Sequence, residues 1–250
     1  MHHKLSEKPK RVVHKSRRIN AGVGGATIKQ LFNNFDEGII GCYPQAIPAV
    51  VQKDFVDDGG PYYSQFPEAF ELPVKMKLDK KAKVTDVLSA SLRYRCLLMN
   101  DRSLAVFDAF NLGNVKRYKS LVRAGTGTSL QYTFVFIGTY ITEEEIDFRR
   151  TKASLVDMVG EPLSTIKIAD GADYLQKSKL ARAGEIPKSE RFSRIDLGDI
   201  VLKDSANIDS DIFTLGQFGS QIFVRNYLAE ALIDAEISGT QICDPDKIKF

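Results

Sequence analysis

Apolar and polar positions follow a strand-like pattern most clearly over Leu130–Ile141, where Tyr132, Phe134, Phe136 and Thr139 mark a β segment. Val115–Val122 reads as a second strand, and Gly125-Thr126-Gly127-Thr128 between them reads as a hairpin loop, with a nucleotide loop as the alternative. Upstream, Val84–Leu88 reads as a short helix or turn and Arg95–Met99 as a strand. Asn100 is placed to cap a helix carrying Leu104, Phe107 and Phe110 on one face. Downstream, Asp173–Ala183 reads as helix, Gly184–Ser189 as loop and Ile195–Lys203 as extended. Two short strands follow, Ile212–Leu215 and Ile222–Val224. A helix over Tyr227–Glu236 then keeps Leu228, Ala231, Leu232 and Ala235 in register.

The first third is less regular. Ile28, Leu31, Phe32 and Phe35 lie at helical spacing, which predicts a short amphipathic segment over 28–41. From Cys42 to Pro73 repeated proline predicts loops and short extended pieces. The glycines at 22, 24 and 25 have neither a preceding apolar strand nor a closing Lys-Ser/Thr pair, so they read as a turn and not a phosphate loop.

Two strand-helix units align at a constant offset of 125 residues. Thr85-Asp86-Val87-Leu88 falls on Ser210-Asp211-Ile212-Phe213, Leu97-Leu98-Met99 on Ile222-Phe223-Val224, Phe107 on Leu232 and Leu112 on Ile237. Either the chain contains an internal duplication, or two unrelated strand-helix units share an apolar pattern. The expected fold class is α+β, with a mixed or mostly antiparallel sheet, several short helices and two similar units packed in one domain. Residues 1–20 read as a flexible basic tail, 21–83 as a loop-rich N-terminal portion and 84–250 as the α+β domain.

Composition narrows the chemistry. The 250 residues carry a net charge of +3, but residues 1–18 hold seven of the 35 basic and one of the 32 acidic side chains. The remainder is therefore acidic on balance, and no basic stripe of the kind nucleic-acid binders carry is expected on the folded body. All three histidines, His2, His3 and His14, lie in the tail, so Ser-His-Asp, Cys-His and His-containing metal sites are not expected. Cys42, Cys96 and Cys243 are widely spaced, which fits neither a zinc knuckle nor a disulfide framework. Cys96, within Cys96-Leu97-Leu98-Met99, reads as a small buried hydrophobe. No cofactor or metal is expected. Free thiols, no apolar run long enough to span a membrane and no leader sequence give a cytoplasmic protein as the expectation.

Asp211-Ile212-Phe213-Thr214-Leu215, Ile222-Phe223-Val224, Leu228-Ala229 and Ile237-Ser238-Gly239 occur in order near the C-terminus. Asp86-Val87-Leu88, the Leu97–Leu104 junction, Tyr132–Ile137 and Ile146-Asp147-Phe148 precede them. Over roughly residues 84–243 this pattern resembles the family numbered eleven among the bacterial immunity proteins of polymorphic toxin systems. The chain departs from that family where a serine usually follows the strand: Asn100 and Arg225 stand there, with Asn226 the expected replacement cap in the second unit. Phe213-Thr214-Leu215 stands for the usual Phe-Arg-Leu. The resemblance implies a non-catalytic protein that binds and blocks a cognate toxin.

Two segments are the expected toxin-facing candidates. Asp57, Asp58, Tyr62, Tyr63 and Phe66 combine acids and rings on a loop, and the alternative is that the rings pack over the core. Glu143, Glu144 and Glu145 with Asp147 form an acidic run, which a helix N-terminus also explains. Two other functions stand beside the immunity reading: a nucleic-acid-associated accessory protein using the tail, and a hydrolase pairing Asp147 with a glutamate.

Overall fold

The computed structural model describes residues 27–49, 73–90, 95–125, 127–219 and 221–249. In chain order its elements begin β1 (Ile28–Asn33), α1 (Glu37–Ile40), β2 (Ala46–Pro48), β3 (Val74–Leu78), β4 (Val87–Leu88), β5 (Cys96–Met99), α2 (Asp101–Phe107), β6 (Val115–Arg123) and β7 (Ser129–Ile137). They continue β8 (Ala153–Val156), β9 (Pro162–Thr165), α3 (Gly171–Ala183), β10 (Arg194–Leu197), β11 (Ile200–Val201), β12 (Ile212–Thr214), β13 (Ile222–Arg225), α4 (Asn226–Asp234), β14 (Thr240–Cys243) and β15 (Ile248–Lys249). The fold is α+β, as the sequence pattern led us to expect, and strand dominates over helix.

Six strands form one sheet in the order β2-β3-β6-β7-β5-β4. Its two edges meet through a parallel bridge between Ala46 and Ala90, and the Ala46 N–H donates to the Ser89 carbonyl at 2.9 Å. The sheet therefore closes into a small barrel. Strand alternation decides what fills it: Val74, Met76, Leu78, Leu98, Tyr118, Val122, Tyr132, Phe134 and Phe136 share the inward parity and make one buried cluster. Buried polar groups beside the closure are paired. Gln45 donates to the Lys83 carbonyl at 2.7 Å and to Thr85 Oγ1 at 3.0 Å, and its Oε1 accepts from the Ser89 N–H at 3.0 Å.

A second sheet, ordered β12-β13-β1-β14, stands against the barrel wall. The layer between them holds Val87, Leu97, Met99 and Phe107 from the first repeat with Ile212, Ile222, Val224 and Leu232 from the second. The far face of the second sheet buries Ile28, Phe213 and Phe223 in a third cluster, shared with β8, β10, Phe148 and Tyr174 of α3. β10, β8 and β9 form an antiparallel sheet, and β11 pairs with β15 in parallel.

The structure supports a duplication over the alternative of chance similarity. β4 pairs with β5 through Val87↔Met99 and Leu88↔Leu98, and β12 pairs with β13 through Ile212↔Val224 and Phe213↔Phe223. Each register is the other plus 125. Polar details repeat at the same offset: Thr85 Oγ1 donates to the Val87 carbonyl at 2.7 Å, and Ser210 Oγ donates to the Ile212 carbonyl at 2.8 Å. Arg102 reaches the Asp86 carboxylate from the first turn of α2, and Tyr227 reaches Asp211 from the first turn of α4. The loops after the helices cross over reciprocally. Gly239, at φ +86°, lies on Thr85 and Val87, and Gly113, at φ +62°, lies on Ser210. A side chain at either position would clash and would strain the backbone.

In the first unit the hairpin and helix are followed by the antiparallel strands β6 and β7, whereas in the second only β14 follows within the sheet and the strand beside β13 is β1, from early in the chain. This accounts for the first difference from expectation. Residues 28–33 are a strand, followed by the one-turn helix α1 capped by Asp36, whose carboxylate accepts from the Gly38 N–H at 2.8 Å. Strands β1 and β3 thus bring part of the portion expected to be loop-rich into both sheets. The second difference is at 84–88, where the last two residues form β4, held by pairing with β5. The third is the cap of α4. Arg225 occupies that position without a side-chain cap bond, its guanidinium donating instead to the Ile208 carbonyl at 2.6 Å. Asn226 is already helical, and its N–H donates to the Thr27 carbonyl at 2.9 Å. Asn100 caps α2 as expected, accepting from the Ser103 N–H at 3.0 Å.

Candidate functional site

The joint between the repeats gathers a dense polar cluster. Asp86, buried at the entry to β4, accepts from the Ser238 N–H at 2.9 Å and hydroxyl at 2.7 Å, from Asn100 Nδ2 at 2.9 Å and from Arg102 at 3.0 Å. Burial opposes the charge, but the hydrogen bonds from Ser238 and Asn100 and the Arg102 charge outweigh it and hold the carboxyl below its ordinary value. Every carboxylate bond goes inward to the protein, so this cluster reads as a joint between the units. Tyr132 packs beside it, its hydroxyl donating to the Thr85 carbonyl at 2.6 Å, and burial with the Asp86 charge pushes its pKa up to about 12. Cys96, expected to be buried, is half-buried and packs against the margin of the barrel core, where desolvation pushes the thiol up to about 12.

The acidic run over 143–147 does not open a helix. The Glu145 N–H closes a turn on the Thr142 carbonyl at 3.2 Å, and its carboxylate accepts from the Thr142 N–H at 2.7 Å. Glu143 accepts from Gln217 Nε2 at 3.2 Å and packs over Gly171, while Asp147 accepts from the Arg149 N–H at 3.1 Å. Glu144 is exposed, and Glu143 and Glu145 are half-buried. Carboxylates close these turns, and among the described residues no ion pair neutralises Glu143, Glu144, Glu145 or Asp147. Asp57, Asp58, Tyr62, Tyr63 and Phe66 lie outside the described residues.

The structure exposes two surfaces that the sequence did not single out. The first is an apolar corner at α1. The Phe35 and Tyr43 rings meet at 4.7 Å, 54% and 50% exposed, and Ile39 (44%) and Val84 (58%) are exposed beside them. The corner is pinned rather than loose. Asp36 and Gly41 cap α1, the Lys83 N–H donates to the Ile40 carbonyl at 2.8 Å, and Lys83 Nζ donates to the Gly38 carbonyl at 2.6 Å. Phe35, Tyr43, Ile39 and Val84 are thus large apolar groups held partly in water next to a pinned turn.

The second surface is the solvent side of the barrel. Residues of outward parity on β3 and over 117–123 of β6 are Lys75, Lys77, Arg117, Lys119, Leu121 and Arg123, and the register sets Lys77 beside Arg123. The expectation that the folded body lacks a basic stripe is corrected here: the body is acidic in sum, but pairing β3 with β6 concentrates its cations. Strands β2, β3, β6 and β7 contain no aspartate or glutamate. Arg117 pairs with Asp108 of the α2 C-cap; among the described residues no ion pair engages Lys75, Lys77, Lys119 or Arg123.

Among the described residues no helix is long and apolar enough to cross a membrane, and no three His, Cys, Asp or Glu side chains gather closely enough to hold a metal ion. No protein-family model matches the chain, and comparison with curated proteins gives no match.

Proposed function

We propose that this protein is a stoichiometric binding module that neutralises a bacterial toxin by occupying it, acting in the cytoplasm as the resemblance to immunity proteins implies. The observation that carries the binding half of this reading is the pinned Phe35–Tyr43 corner. Protein interfaces draw most of their energy from a few aromatic anchors surrounded by polar groups. Phe35 and Tyr43 have that character, and polar side chains are close in the chain: Glu37 begins α1, and Lys83 bonds the Gly38 and Ile40 carbonyls of that helix. The toxin half rests on the resemblance over residues 84–243, whose Asp86 and Asp211 motifs are the ones the two units use to lock together.

The test is co-purification from the native host, followed by expression of the most enriched partner in a sensitive strain. The reading predicts a toxic partner whose effect this protein suppresses. Recovery of nucleic acid alone, or of a partner with no effect on growth, refutes it.

A further inference from the structure

The solvent side of the barrel places Lys77 and Arg123 on adjacent strands at one register position, about 5 Å apart at the backbone. Lys75 lies two residues back along β3, and Lys119 lies four residues back along β6, so the four cations spread over a patch roughly 14 Å long. Like charges directly opposite one another destabilise a sheet. The arrangement therefore works against folding stability; the strands themselves carry no acid, and Asp79, just past the end of β3, is the carboxylate that interacts with Lys77.

Apolar groups sit among the cations. Leu121 is half-buried opposite Lys75, and Ile47 of β2, 39% exposed, pairs with Lys77. β2 begins three residues after Tyr43, so this face continues from the apolar corner along the same stretch of chain. A single-stranded nucleic acid draws affinity from aromatic platforms between its phosphate contacts. The outward positions 47, 75, 77, 117, 119, 121, 123, 129, 131 and 133 hold aliphatic and polar side chains instead. Cations interleaved with aliphatic side chains match a protein surface bearing carboxylates.

We propose that the barrel face formed by Lys75, Lys77, Lys119 and Arg123 around Leu121 and Ile47 docks a carboxylate-rich surface of the protein partner. This rests on the binding reading above and names the chemistry of the partner's contact surface. Charge complementarity of this kind raises the association rate and excludes partners of the wrong sign.

The experiment uses the full chain and two labelled polyanions, poly-L-glutamate and an oligo(dT) of equal charge, with binding read by fluorescence anisotropy over a salt series. Three proteins are compared: the wild type, the face variant Lys75→Gln/Lys77→Gln/Lys119→Gln/Arg123→Gln, and a tail variant. The last carries glutamine at the seven basic positions of residues 1–18. The proposal predicts that the wild type and tail variant bind poly-L-glutamate more tightly than oligo(dT), with affinity falling as salt rises. The face variant, melting at the wild-type temperature, loses on the order of tenfold in affinity for poly-L-glutamate. Equal binding by face variant and wild type overturns the proposal, as does tighter binding of oligo(dT) through the same side chains. Growth protection against the co-purified partner is scored separately. Loss of all protection with polyglutamate binding intact refutes the neutralisation reading alone, and full protection by the face variant refutes the docking face alone.

Discussion

Ser238 donates its N–H at 2.9 Å and its hydroxyl at 2.7 Å to the carboxylate of Asp86, 152 residues earlier in the chain. The Asp86 N–H returns a bond to Ser238 Oγ at 3.0 Å, and the Val87 N–H donates to the Ser238 carbonyl at 3.0 Å. In the other unit Asp211 accepts from the Asn111 N–H at 2.8 Å and donates its own N–H to the Asn111 carbonyl at 2.7 Å. Each repeat thus begins with an aspartate that holds the loop leaving the other repeat's helix. Replacing Asp86 with alanine strands several donors in a buried joint and is expected to cost about 3 kcal/mol in urea unfolding. Asp211→Ala, at a more exposed joint, is expected to cost less.

The same carboxylate sets an acid limb. Its folded pKa is depressed, so its contribution is fully present above the unfolded value of about 3.9 and is lost as pH falls through the folded value. The stability gap between wild type and Asp86→Asn is expected to stay constant from about pH 8 to 5 and to narrow below about pH 4. Urea midpoints across that range measure it.

Gly239 tests the reciprocal packing. A Cβ there would lie 1.9 Å from the Val87 carbonyl oxygen, and the residue already has φ +86°. Gly239→Ala is expected to cost at least about 2 kcal/mol. Gly125→Ala, whose Cβ would meet nothing within 4 Å, is expected to stay within about 0.5 kcal/mol. Thermal melts of the two variants give the comparison.

The barrel interior and the α1 corner are expected to separate stability from binding. Phe134, fully buried among Tyr118, Phe136 and Leu98, should cost about 3–5 kcal/mol when cut to alanine. Phe35→Ala and Tyr43→Ala remove exposed rings and should cost under about 1 kcal/mol, while reducing partner affinity by roughly tenfold or more.

Much of this architecture was legible because the repeats carry their own punctuation. Asn100 caps α2, Leu228 and Leu232 set the face of α4, and the offset of 125 relates the two hairpins down to their register. Strand β1 was misread for a physical reason. Ile28 and Leu31 lie on opposite faces of a strand, and both are buried because the second sheet has a core on each side. A doubly covered strand has no period-two alternation, so helical spacing arises by accident. The alternation Val74-Lys75-Met76-Lys77-Leu78 was visible in the chain, but the basic face appears only when β3 pairs in parallel with β6, 46 residues away. For the acidic run over 143–145, a helix start and a set of turns have the same composition, and only the Glu145–Thr142 bond separates them.

The most direct test is a titration of the co-purified toxic partner with this protein, reading the partner's residual activity against molar ratio. Occupation predicts inhibition that ends sharply at equimolar protein, and a Phe35→Ala/Tyr43→Ala variant that requires a large excess. Complete inhibition at a small fraction of an equivalent, or an endpoint unchanged in the double variant, would contradict the account.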